Sequence, residues 1–108
     1  MIFTKEHIEK IREGQKTETR RIWKKPHVKI GGIYGVRSDR FKPVAVDAPR
    51  IKITGMHREA LLLMTDEDAI REGCKDKEEF RQIWIKLHGC WDPLQKVYVI
   101  DFERVNAI

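Results

Sequence analysis

The chain has 108 residues and only two cysteines, and their placement removes several functions at once. Cys74 and Cys90 are separated by a predicted helix and match neither a Cys-x-x-Cys pair nor a four-ligand zinc spacing, so reduced thiols are expected. His27 stands alone and makes no metal site. No window approaches the roughly 20 apolar residues of a membrane span, and Met1 to Glu6 lacks the long apolar run of a signal peptide. The expectation is a cytoplasmic protein without membrane attachment, metal or cofactor. A 12.8 kDa chain is enough for one domain, 1–108, with a modest core, and a monomer is expected.

Acidic excess is missing too. Lysine and arginine number 22 against 17 aspartate and glutamate, giving a formal charge of +5 and a sequence pI near 9.4. Such a balance favours a polyanionic partner, with nucleic acid or a nucleotide as the default, and interspersed signs also serve solubility.

What is present begins with a short helix. Thr4 suits an N-cap for Lys5 to Glu13, Ile8 and Ile11 supply its buried stripe, and Gly14 fits the left-handed position after a helix end. The next stretch, Gly14-Gln15-Lys16-Thr17-Glu18-Thr19-Arg20-Arg21, concentrates cations and hydroxyls. A strand from Thr17 to Trp23 places Thr19 and Arg21 on one face and Glu18 and Arg20 on the other. Lys16, in the turn before it, is free to bring its ammonium beside the Thr19 hydroxyl. Trp23-Lys24-Lys25-Pro26-His27-Val28-Lys29 is a basic loop, suited either to phosphates and base stacking or to mobile surface with Trp23 tucked into the core.

Gly31-Gly32 turns into a strand at Ile33 to Arg37, from which Arg37 can face the same cleft as Arg21. Ser38 to Pro49 reads as a loop with a short Val44 to Val46 strand. Arg50 to Leu61 alternates as a strand, with a bulge or bend at Gly55. Thr65 caps a helix from Asp66 to Gly73, where Glu72 opposes the helix dipole. Asp76 caps a helix from Lys77 to His88 with a core stripe of Phe80, Ile83, Trp84 and Leu87. The last strand, around Val97 to Phe102, is apolar at most positions and should be central in its sheet.

The pattern Gly14-x-Lys16-x-x-Thr19-x-Arg21 resembles the signature of the ASCH (activating signal cointegrator homology) family, in its short prokaryotic and viral form. Ile33 to Arg37, Ala69 to Gly73, Trp84, Trp91 and Val99 to Phe102 match it in order. The resemblance implies an α+β fold, a small PUA-like β-barrel with flanking helices. Some small members are amidohydrolases that remove the acetyl group of N4-acetylcytidine, which implies Lys16, Thr19 and Glu72 as catalytic residues, with Lys16 as base or oxyanion clamp. The basic loop, the longer Ser38 to Pro49 loop and the second arginine depart from the pattern and point to a substrate larger than a nucleoside. Other members are implicated in RNA binding or cleavage. A non-catalytic RNA-binding module would hold phosphates with Arg20, Arg21, Lys24, Lys25 and Arg37 and stack a base on Trp23 or Tyr34, and a ribonuclease is a further alternative. If the hydrolase reading is correct, Lys16, Thr19, Arg21 and Glu72 should line one concave pocket.

Overall fold

A computed structural model describes residues 1–105. Helix α1, Lys5–Arg12, starts where the Thr4 hydroxyl accepts the His7 amide hydrogen, and the chain leaves it through Gly14 at φ 80°. Strand β1, Glu18–Arg21, follows, then β2, Ile33–Gly35, and the long β3, Arg50–Ala60. A 3-10 turn, Leu61–Leu63, leads to α2, Asp66–Arg71, where Thr65 and Asp68 form a reciprocal cap. Helix α3, Lys77–His88, runs from the Asp76 cap to Gly89 at φ 86°, and β4, Lys96–Val105, closes the fold.

All four strands form one antiparallel sheet in the order β1-β4-β3-β2, curled as a half-barrel. The mixed α+β architecture expected from the sequence is present. Strand β4 is central and explains itself: Val97 and Val99 pack into one apolar cluster with Phe80 and Trp84, while Ile100 and Phe102 pack into another with Phe3, Ile11 and Ile53. Because alternate residues point to opposite faces, a strand covered on both sides must be apolar at both parities. The ladder between β3 and β4 slips between Ile53 and Gly55, the bulge expected at Gly55.

Two local expectations are corrected. No strand forms at Val44 to Val46, and Val46 is exposed. Instead Val44 lies so close to Gly35 that a Cβ there would meet its Cγ1 at 2.6 Å. Leu87 is also exposed, while His88 lies against Trp84 with ring centroids 4.1 Å apart.

Candidate functional site

The chain between α1 and β1 brings the loop carrying Lys16 against the end of α2. Thr17 donates its amide hydrogen to the Arg71 carbonyl at 2.8 Å, which fixes α2 beside β1. Glu72 is the residue that ends α2, and Lys16 donates to it twice, at Oε1 (2.8 Å) and at its backbone carbonyl (2.7 Å). Lys10 adds a 2.6 Å bond to the Gly73 carbonyl. Two ammonium groups therefore occupy the negative end of the helix dipole and offset the carboxylate placed there. The Lys16 and Glu72 side chains are only 2% and 4% exposed, so the pair is desolvated.

Thr19 and Arg21 share a face of β1 as alternation requires, and Arg21 Nε donates to the Thr19 hydroxyl at 3.3 Å. Arg21 Nη2 donates to the Ile2 carbonyl at 2.7 Å. The Phe3 ring is the common floor, with the Arg21 guanidinium 4.7 Å and the Lys16 ammonium 5.8 Å from its centroid. Lys16 and Glu72 thus form one buried pair, and Thr19 and Arg21 a second contact, with the Phe3 ring between the Lys16 and Arg21 cations; the Lys16 ammonium bonds Glu72 and not the Thr19 hydroxyl, and the four do not form the walls of an open pocket.

Arg20 corrects an expectation. Its side chain is fully buried, donating to Glu18, to Glu72 Oε2 (3.2 Å) and to Glu59 (2.8 Å), with Asp68 at 3.5 Å. A guanidinium enclosed by carboxylates cannot hold a phosphate, and Arg20 is removed from the binding set. Arg71 adds a 3.0 Å bond to Glu18 Oε2. Burial raises the Glu18 carboxyl above its ordinary range despite Arg20 and Arg71. Arg20 Nε is buried without a partner.

The remaining candidates divide. Trp23 is half-buried, stacked on His27 at 4.5 Å, and Lys24 and Lys25 are exposed. Tyr34 packs on the core and accepts the Lys29 amide hydrogen at 3.0 Å. Arg37 donates to the Lys42 carbonyl and lines a different cavity, about 250 Å³ beneath the 38–49 loop, so it does not share a wall with Thr19. A second cavity, about 350 Å³, lies between the 3-10 turn and α3.

Several participants escaped the sequence reading. Glu18 was legible as Arg20's partner from their i, i+2 spacing on one strand face, but Glu59 and Asp68 arrive through tertiary packing alone. His7, on α1, is held down at about 4 by burial, by the charges of Lys16 and Lys10 and by that of Arg21, against Glu6. Among the described residues no group of histidine, cysteine and acidic side chains is arranged to hold a metal ion.

No family model matches the sequence, and no curated protein matches it. Solved structures do. An ASCH domain from Lactobacillus crispatus JV V101 superposes with a TM-score of 0.67 at 16% identity, over 90% of this chain and 69% of that one. A protein from Enterococcus faecalis V583 assigned to DUF984 gives 0.65 at 14% identity, over 93% and 67%. The hypothetical protein PH0355 gives 0.68 at 20% identity, over 95% and 94%. At these identities the likeness is one of fold, and the fold is that of the ASCH domain.

Proposed function

We propose that this ASCH-fold chain is an amidohydrolase acting on an N-acylated nucleoside such as N4-acetylcytidine, free or within RNA. The observation that carries the reading is the Lys16–Glu72 pair, two charges 56 positions apart that meet at 2.8 Å, buried, with the Phe3 ring shared between Lys16 and the Arg21 that holds the Thr19 hydroxyl. A buried ion pair contributes little net stability over apolar replacements of its own size. Its chemical value lies in placing a proton carrier and a cation together next to a nucleophile.

The roles divide as follows. Thr19 Oγ1 attacks the acyl carbon while its proton passes to Glu72, and the Lys16 ammonium stabilises the oxyanion. The C–N bond breaks as Glu72 returns the proton to the leaving amine. Water then attacks the threonyl ester, Glu72 takes one proton and Thr19 recovers it, so amide and water yield amine and acid. Arg21, anchored on the Ile2 carbonyl, orients the Thr19 hydroxyl.

Acid release from N4-acetylcytidine and a panel of acylated nucleosides tests the reading. Lys16→Ala, Thr19→Val and Glu72→Gln should each lower kcat/KM by about 10²–10⁴. No acid from any substrate, or Lys16→Ala working as fast as wild type, would sink it.

A second reading, a non-catalytic RNA-binding module, draws on the exposed Lys24 and Lys25 beside the Trp23–His27 stack. It requires an affinity for single-stranded RNA that falls with salt at a slope of roughly −0.7 per phosphate neutralised. Flat binding across the salt range removes it.

A further inference from the structure

The register across three strands places Arg58, Tyr98 and Arg21 directly side by side, and Met56, Ile100 and Thr19 side by side in the neighbouring row. Residues opposite one another in an antiparallel sheet share a face, and positions two apart along a strand are separated by about 7 Å. Tyr98 therefore stands one row from the Thr19 hydroxyl, on the same surface.

That row is built of planes. The Arg58 guanidinium lies 5.1 Å from the centre of the Tyr98 ring, the Trp23 ring is 6.2 Å from Tyr98 and tilted 42° to it, and His27 stacks on Trp23 at 4.5 Å with 19° between planes. The two inner rings are half-buried and packed against the core, while the two outer planes, Arg58 and His27, are exposed. Neither Arg21 nor Arg58 pairs with a carboxylate among the described residues. Lys24 and Lys25 follow Trp23 directly.

We infer that this array is a stacking subsite for the nucleotide next to the acylated one, so that the substrate is a single-stranded RNA and not a free nucleoside; the inference rests on Lys16, Thr19 and Glu72 being the reacting site. A flat base continues the Arg58–Tyr98 stack on the exposed Arg58 guanidinium plane, as unpaired bases do on arginine planes. The unpaired cations flanking it neutralise the phosphates on either side, a role a free nucleoside would leave idle.

The test titrates intrinsic tryptophan fluorescence with cytidine and with a five-nucleotide cytidine RNA, and follows acid release from N4-acetylcytidine in the same preparations. The RNA should bind at least about tenfold tighter than the nucleoside. Tyr98→Leu, which keeps apolar bulk, and Arg58→Gln should each weaken RNA binding roughly tenfold, the scale of one base stack. Tyr98→Phe should retain it, and Lys86→Ala, a charge control on α3, should leave it unchanged. Equal affinity for RNA and nucleoside, or RNA affinity indifferent to both Tyr98→Leu and Arg58→Gln, overturns the subsite. Tyr98- and Arg58-dependent RNA binding without acid release supports the subsite and removes the catalytic reading. Acid release without preference for RNA does the reverse.

Discussion

Lys16 holds Glu72 by both its side chain and its main chain, with bonds of 2.8 Å to the carboxylate and 2.7 Å to the carbonyl. One ammonium thus fixes where α2 stops and where its terminal carboxylate points. Removing the cation leaves the Glu72 carbonyl and Oε1 without a donor while Arg20 still holds Oε2, so Lys16→Met should cost about 1–3 kcal/mol in urea unfolding. Lys16→Met combined with Glu72→Leu should recover most of that loss and none of the acid release. Strict additivity of the two single losses would show that the pair is not energetically coupled.

Arg20→Met should be more damaging at neutral pH, about 3–5 kcal/mol, because Glu18, Glu59 and Glu72 lose their shared cation. The deficit should narrow as the pH falls toward 4, since protonating the carboxylates relieves their repulsion. Urea unfolding of variant and wild type at pH 7 and pH 4.5 measures this, and a deficit that widens in acid contradicts the network.

His7 gives a pH dependence of defined sign. Its folded value of about 4 lies below its ordinary 6.5, so the unfolded chain binds the proton first as the pH falls. The contribution of neutral His7 is complete above about pH 6.5 and is lost progressively down to about pH 4. His88, lowered by burial and by Arg21, acts in the same direction. An NMR titration should place the His7 midpoint near 4, and His7→Gln should flatten the stability profile in that interval. A midpoint above 6 would show that the imidazole is neither desolvated nor close to those cations.

Gly73 turns the chain out of α2 at φ 91°, and a Cβ there would meet Lys10 Cδ at 3.1 Å and Lys16 Cβ at 3.6 Å. Gly73→Ala should therefore destabilise by more than about 1 kcal/mol. It should also push the Lys10 side chain aside, while Lys16 Cβ stays at an ordinary contact distance. Wild-type stability in this variant would mean the turn tolerates an alanine without moving its neighbours.

Local rules made much of this legible. Thr4, Thr65 and Asp76 marked the helix starts because a side-chain oxygen facing free amides is a short-range signal. The two-sided apolar pattern of β4 declared its central place. Glu72 stood out as a carboxylate at the wrong end of a dipole, and its compensation by Lys16 and Lys10 is the reason it is tolerated. Arg20 was misread because a strand position next to Arg21 carries no indication of which face meets acid. That information resides in Glu59 and Asp68, which reach Arg20 only after β3 and α2 have packed. Tyr98 and Arg58 were hidden for the same reason, since register between distant strands is invisible to spacing within one.

The pairing of Thr19 with Ile100 joins residues about eighty positions apart. Closing so long a loop is entropically costly before any contact rewards it, which places the β1–β4 ladder among the slow, non-local steps of folding. Strand β1 has no other strand partner in the sheet. During synthesis, therefore, Lys16, Thr19 and Glu72 are all translated well before the strand that orders Thr19, and Thr19 is not fixed in place until β4 has emerged and docked.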